Sequence, residues 1–361
     1  MKWWLYSKPL RRVRSGYIAC FSLLLLGCSN GPAQRLEDYA ERVARVVEQP
    51  LAEPASVQLP ALPTRQIELP LAQADVGLLE FLRLNECELG YAIGQKNSTL
   101  GKVAQPSQRL HMERDFLLLA PKCIEQLGSK RPELTAKLAA ANQLKQQQRM
   151  RSWWNAWLTA KEWQTFISPA APALEMTDAE PAHLSLSVQA LDYAIAQGQR
   201  WQQQDYAYQS SDMEFHQQQL LLGETLGKWL HAQALQTDVL NRVADVLEQR
   251  FADKPLCITG QQTNNAKILF NVFQKFYLAQ VQPYMSRSDR LGKQLLAQLR
   301  DMQALLNQSE LQAGVVPAAY KQWLMELEQR QQTFTRASQR HVQAWRKTLT
   351  ECGFIPTGSN E

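Results

Sequence analysis

The polar stretch Asn97-Ser98-Thr99-Leu100-Gly101-Lys102 is the part of the chain whose residue types best suit ligand binding. Together with Pro106-Ser107-Gln108-Arg109 it predicts a loop between two helices. The cations Lys102 and Arg109 would attract an anion, and so would the backbone N–H groups that follow Ser107 at the start of a helix. The sequence therefore predicts a binding loop made of Asn97, Ser98, Lys102, Ser107 and Arg109.

Two other interpretations of this loop remain open. In the simpler one, Asn97 ends one helix and Ser107 caps the next, which needs no ligand. In the other, Ser98 is a nucleophile and Lys102 its base. The sequence offers no third catalytic group and no oxyanion donor for that pair, so we assign no catalytic residue.

Histidine and carboxylate side chains occur in pairs that could bind a metal ion. His111 with Asp115 and Asp212 with His216 are each four residues apart, which places both members on one face of a helix. A third string, Glu180-Pro181-Ala182-His183, contains a proline and lies in a predicted break. The favoured interpretation is a solvated, ion-paired surface, and we predict no metal site and no cofactor.

Tryptophan is concentrated in one short segment, at Trp153, Trp154, Trp157 and Trp163. Large rings bury much apolar area, so this cluster favours core packing. Two alternatives stay open. Trp153 and Trp157 could line a groove with the 97–109 loop, or the rings could lie at a membrane interface.

Most motifs that identify an enzyme are absent from the sequence. It contains no G-x-S-x-G string, no H-E-x-x-H, no phosphate-binding P-loop and no dinucleotide fingerprint. These absences favour a non-catalytic protein.

The amino end has the pattern of a secretory signal. Its cations come first, without any acid, and an apolar run from Tyr17 to Leu26 follows, too short to span a bilayer. The run ends in Leu25-Leu26-Gly27-Cys28, which resembles the lipobox of bacterial lipoproteins. The resemblance implies cleavage before Cys28 and lipidation (palmitate included) of that residue. Ser29 at the next position implies retention at the periplasmic face of the outer membrane.

Charge gives no sign of a nucleic-acid partner. Removal of residues 1–27 takes away five of the 39 basic residues and leaves 34, equal to the 34 acidic ones. The exported chain is therefore neutral overall, which does not favour binding to nucleic acid or to anionic lipid through net charge. The expected partners are the membrane, through the lipid anchor, and an envelope protein or a small apolar or anionic ligand.

The remaining cysteines predict two disulfides. Cys20 leaves with the signal and Cys28 takes the lipid, so four thiols enter an oxidising compartment: Cys87, Cys123, Cys257 and Cys352. Of the three pairings we favour Cys87 with Cys123 and Cys257 with Cys352, because each would then join residues in one half of the chain.

Hydrophobic spacing predicts an all-α bundle of long helices. Apolar residues at helical spacing indicate a short helix over 35–49, and prolines between 50 and 70 indicate an extended segment after it. Further helices are predicted from Asp75, from Ser107 to a turn at Pro121, from Pro132 to Ile167, and over 186–251, 264–282, 284–309 and 317–351, with Pro283 at a boundary.

We predict three regions along the chain. Residues 1–27 are the signal peptide, 28–74 a lipidated tether with the short helix and the Pro-rich segment, and 75–361 a helical domain. A candidate sub-boundary at 168–185 is interpreted as a loop. The tether is expected to hold the short helix near the membrane or a partner while the body stands away from it.

Several strings resemble a domain-of-unknown-function family of lipoproteins from Gram-negative bacteria. The strings are Cys87, Asn97-Ser98-x-Leu100-Gly101-Lys102-Val103 with Pro106-Ser107, Cys123, Pro255-Leu256-Cys257 and Asn271-Val272-Phe273-Gln274-Lys275-Phe276-Tyr277. The resemblance covers nearly the whole exported chain. It implies an envelope location and no activity.

The first functional hypothesis is a non-catalytic lipoprotein of the outer membrane that binds a partner or scaffolds an assembly. The alternative is a carrier for a small ligand or lipid. A hydrolase acting on the cell wall or on lipid is the third, and it lacks an identifiable triad or metal.

Overall fold

Our computed structural model describes residues 31–73, 87–97, 103–177, 181–258, 261–307 and 316–355, and most of them lie in helices. No strand occurs within these residues, and the all-α prediction is confirmed. None of their helices is both long enough and apolar enough to cross a membrane. The α-helices are α1 (Pro32–Val47), α2 (Glu88–Asn97), α3 (Pro106–Leu127), α4 (Pro132–Gln147), α5 (Arg149–Leu158), α6 (Lys161–Phe166), α7 (Ala182–Gln202), α8 (Ser210–Gly223), α9 (Thr225–Asp253), α10 (Asn264–Val272), α11 (Gln282–Asn307) and α12 (Ala318–Glu351).

Helix α1 is an integral part of the core. Its stripe of Leu36, Tyr39 and Val43 is buried against α9 and α10. Arg242 of α9 fixes the polar side of the same helix, since its guanidinium donates to Glu37 at 3.0 Å. The expectation that this helix docks on a membrane or partner while the body stands away is therefore wrong, because its apolar stripe is already covered.

The Pro-rich segment is extended, as expected, but it lies along the body. Prolines cannot donate a backbone hydrogen bond, so the segment is held mainly through its carbonyl oxygens. Trp154 Nε1 donates to the carbonyl of Ile67 at 2.9 Å. Farther along, Asn155 and Gln148 bind Leu69 and Ala72. A single turn of 3-10 helix, Thr64–Gln66, interrupts the segment.

A buried polar cluster joins α1 to the last helix. Trp345 Nε1 donates to the hydroxyl of Tyr39 at 2.8 Å, and Tyr39 Oη lies 2.8 Å from His341 Nε2. An indole N–H can only donate, so the Tyr39 oxygen accepts from Trp345. The Tyr39 hydroxyl then donates its own proton to His341 Nε2. Burial lowers the pKa of His341 to about 3, so the ring is neutral at physiological pH.

Two of the predicted long helices are each divided into three. The predicted run from 132 to 167 forms α4, α5 and α6, with breaks at Gln148 and Thr159. The run over 186–251 forms α7, α8 and α9. Glu224 separates the last two in the left-handed region, with φ of 47°. No proline or glycine stands at Gln148 or Thr159, so the sequence carries no breaking signal there, whereas Gly223 directly precedes Glu224.

Two prolines predicted at boundaries lie inside helices instead. Pro121 is exposed within α3, which continues because Leu117, Ala120 and Cys123 pack against neighbouring helices. Pro283 follows a π-helix, Phe273–Val281, which connects α10 to α11 without a break. The wider turns of the π-helix shift the backbone hydrogen-bond register just before Pro283, which has no N–H to donate.

The hydrophobic residues form two separate clusters. The larger one contains the buried tryptophans, α1 and the helices from α5 onward. The smaller one joins α2, α3 and α4 through Leu89, Ile93, Phe116, Ala120, Cys123, Leu127, Leu134, Leu138 and Ala141.

Each cluster contains one disulfide. Cys87 pairs with Cys123 in the smaller cluster, and Cys257 pairs with Cys352 in the larger one. Their Cα atoms are 5.6 and 5.1 Å apart. Both disulfides join the partners that the sequence favoured.

Candidate functional site

A cavity of about 860 Å³ lies where the two clusters meet. The Pro-rich segment forms one wall over residues 65–73, α2 and α3 form a second, and α4 with α5 forms the third. Its volume falls within the range of small-molecule sites, which are concave and found at such junctions.

The third wall is a polar stripe, composed of Lys145, Gln148, Ser152, Asn155 and Thr159. These residues are spaced three or four apart, so they share one helical face that continues across the break between α4 and α5. The spacing is visible in the sequence, and it is the signal that the sequence interpretation missed.

Two amides of this stripe fix the first wall. The Asn155 side chain accepts from the Leu69 N–H at 2.8 Å and donates to the Leu69 carbonyl at 2.7 Å. The Gln148 side chain does the same for Ala72, at 3.0 and 2.9 Å. Each amide therefore uses its oxygen and one N–H, and residues 69–72 are held by paired hydrogen bonds to the main chain, as a bound peptide would be.

One ion pair lies deep in the cavity. Lys145 Nζ donates to Glu113 Oε2, and only 7% and 12% of the two side chains are exposed. The ammonium group also lies 5.0 Å from the centre of the Phe116 ring, within cation–π distance. The two opposite charges compensate each other in a place where a single charge would be costly.

The opening of the cavity carries Arg65 and Arg109. Arg109 Nε donates to the carbonyl of Ala104 at 3.0 Å, which orients the guanidinium without using its terminal nitrogens. Neither arginine has a carboxylate partner in the described part of the chain. The predicted binding residue Arg109 therefore does lie at a concave site.

Comparison with known proteins gives the family. A family model described as "Protein of unknown function (DUF3080)" matches residues 36–356. The chain belongs to this family. No curated protein and no solved structure matches it.

The other predicted loop residues of this DUF3080 chain have separate outcomes. Asn97 is the last residue of α2, while Ser98 and Lys102 lie outside the described residues. Ser107 is not the cap of α3. Gln105 is, and its side chain accepts from the backbone N–H of Gln108, whose own side chain accepts from Gln105 N. Because Pro106 opens this helix, the cap falls before it.

The alternative of a groove lined by tryptophans is wrong. Trp153 and Trp157 are fully buried and donate to the Ala194 carbonyl at 3.0 Å and to Gln197 Oε1 at 2.7 Å. The same helix α5 presents Ser152 and Asn155 to the cavity, so its tryptophans face the opposite side. Core packing is the confirmed role, and the membrane-interface alternative is excluded by the burial.

The histidine–carboxylate pairs do come near each other but form no metal site. His111 Nδ1 lies 2.8 Å from Tyr208 Oη, and its Nε2 lies 3.7 Å from Glu214 rather than near Asp212. His216 stacks on Tyr193 with ring centres 4.3 Å apart.

Other contacts account for the rest of these groups. Asp115 accepts from Arg114 at 2.8 Å. Burial and the charge of Arg114 lower the pKa of His111. No set of three or more His, Cys, Asp or Glu side chains within the described ranges is placed to hold a metal ion.

Proposed function

We propose that this protein is a non-catalytic lipoprotein, anchored through Cys28 at the periplasmic face of the outer membrane, whose body binds a ligand in the cavity between its two clusters. The cavity is the observation that supports binding. It combines about 860 Å³ of space with a compensated ion pair, two rim arginines and an apolar wall.

The proposed location is supported by two features. The amino end resembles a lipobox signal, and the four cysteines Cys87, Cys123, Cys257 and Cys352 form two disulfides, as is typical of proteins from an oxidising compartment. Three residues, Ser29, Asn30 and Gly31, separate Cys28 from α1. At ~3.3 Å per residue these three residues reach about 10 Å, so the anchor would hold the body close to the bilayer.

The location is tested by labelling cells with radioactive palmitate and fractionating the envelope. We expect label on the wild-type protein in the outer membrane and none on Cys28→Ser. Label on the variant, or a wild-type protein confined to the cytosol, would contradict the anchor.

Ligand binding is tested by native mass spectrometry of the protein purified from its own envelope. The cavity is filled by Ser152→Trp, and Ser286→Trp adds the same ring to an exposed position of α11. We expect a bound small molecule on the wild type and on Ser286→Trp, and none on Ser152→Trp. Circular dichroism of all three proteins verifies the fold.

A scaffolding role is the other outcome of this experiment. If no variant carries a small molecule, and crosslinking in cells captures the same envelope protein with Ser152→Trp as with the wild type, the cavity is not the functional site. The interaction surface would then lie elsewhere on the body.

A further inference from the structure

We infer that the ligand is an anionic amphiphile, with a carboxylate or phosphate bound at the cavity rim by Arg65 and Arg109 and an apolar chain lying along Leu71, Met112 and Phe116. This inference rests on the proposed function, because it assigns a ligand class to the same cavity.

The rim arginines select the charge. Guanidinium groups bind carboxylate and phosphate through two parallel hydrogen bonds, and the terminal nitrogens of Arg109 remain available beside the Ala104 contact. Arg65 lies on the opposite wall, in the turn Thr64–Gln66, so the two cations come from different parts of the chain.

The interior does not offer a second anion site. Lys145 is the cation deep in the cavity, and Glu113 already neutralises it. An anionic group entering to that depth would meet the Glu113 carboxylate. The charges therefore place a ligand's anionic group at the opening, with the rest of the molecule inside.

The interior also favours an apolar chain over a sugar or a peptide. The two amides of the polar stripe that could recognise such a ligand, Gln148 and Asn155, already use the oxygen and one N–H each in binding Ala72 and Leu69. Thr159 donates its hydroxyl to the Asn155 carbonyl. Much of the surface that remains is apolar: Leu71 is 38% exposed, and Ile93, Met112 and Phe116 line the facing wall.

Four probes with the same twelve-carbon chain test this assignment on the exported chain. They are laurate, dodecyl phosphate, dodecyltrimethylammonium and dodecyl maltoside, each titrated calorimetrically below its critical micelle concentration. We expect laurate and dodecyl phosphate to bind at least tenfold more tightly than the cationic and neutral probes. The ratio of the two anions then tells whether the natural head group is a carboxylate, as in a free fatty acid, or a phosphate, as in a lysophospholipid.

Variants assign the binding to the rim. Arg65→Gln with Arg109→Gln should weaken anion binding about 100-fold, or tenfold for each arginine. Arg330→Gln with Arg336→Gln removes the same charge from the exposed face of α12 and should leave the affinity unchanged. Leu71→Asp should weaken all four probes.

Equal affinity for all four probes, or full anion binding by the Arg65/Arg109 double variant, would overturn the ligand class. If laurate and dodecyl phosphate do not bind while native mass spectrometry still finds another molecule that Ser152→Trp excludes, the ligand class is wrong and the binding function stands. Absence of both kinds of binding would remove both proposals.

Discussion

The two hydrophobic clusters differ in the side chains that hold them together. All eight tryptophans of the described residues belong to the larger cluster, where indole N–H groups of α5 tie it to the backbone of α7 and of the Pro-rich segment. The smaller cluster contains nine buried side chains, mostly aliphatic, and its disulfide. A small core buries too little area to be stable by itself, so the disulfide has a larger relative role there.

The difference explains where the cavity lies. Leu69 and Leu110 belong to the larger cluster, Ile93 and Phe116 to the smaller one, and all four line the cavity. Two cores of unequal composition meet without interdigitating fully, and the remaining space is bounded by the polar stripe. Tryptophan fluorescence reports on one side of this boundary only, which makes the comparison measurable.

The largest effect is expected from Cys257→Ser with Cys352→Ser. Cross-linking residues 95 apart stabilises a fold by about 5 kcal/mol in the chain-entropy model. Because this bridge lies in the larger cluster, the midpoint of unfolding by urea, followed by tryptophan fluorescence, should fall substantially. An unchanged midpoint would show that this bridge adds no stability to the larger cluster.

Acid should destabilise the larger cluster through His341. The folded pKa is about 3, below the ordinary 6.5, so the unfolded chain binds a proton that the folded chain does not. Stability is therefore full above pH 6.5 and falls as the pH drops towards 3, by about 4 kcal/mol for this group. Urea unfolding at several pH values measures it.

Two variants isolate the contribution of His341. His341→Gln keeps a hydrogen-bond acceptor for Tyr39 and should flatten the pH dependence, whereas His183→Gln, at a less buried histidine, should keep most of it. The assignment fails if the two variants show the same slope.

Cys87→Ser with Cys123→Ser should act locally. The loop is shorter, with a separation of 36 residues, and the expected loss is about 4 kcal/mol. Hydrogen exchange in α2, α3 and α4 should accelerate while tryptophan fluorescence stays native. If fluorescence is lost together with exchange protection, the two clusters unfold as one unit and the comparison between them does not hold.

The smallest effects concern helix caps, one in each cluster. Thr263 Oγ1 accepts from Ala266 N at the start of α10, and Gln105 caps α3. Thr263→Ala and Gln105→Ala should each cost about 1 kcal/mol. Thermal unfolding followed by fluorescence should detect the first more clearly than the second, because the buried side chains of α10 all lie in the tryptophan-rich cluster, whereas those of α3 are divided between the two clusters.

The sequence predicted the helices well wherever apolar spacing was regular. The stripe of α1 is one example. The disulfide pairing was predicted on separate grounds, because each pair joins cysteines in one half of the chain. The breaks at Gln148 and Thr159 were missed because no local residue requires them. Tertiary packing decides them.

The cavity could be predicted only in part. Arg109 was recognised as a cation beside a loop, but its position at a concave site depends on the docking of residues 65–73, which carry no periodic signal. The polar stripe of α4 and α5 was visible as spacing. The spacing alone does not tell whether such a stripe faces solvent, another protein or its own chain. It faces residues 65–73 of its own chain, a proline-rich segment that is distant in sequence.

The seating of α1 has a mechanical consequence. Any tension that reaches the chain at Gly31 acts first on a helix that runs alongside α9 and is fixed there by the Arg242–Glu37 contact. The packed side chains between α1 and α9 would have to slide past each other before the tension could separate residues 65–73 from Gln148 and Asn155. The wall of the cavity is thus shielded from tension applied at Gly31.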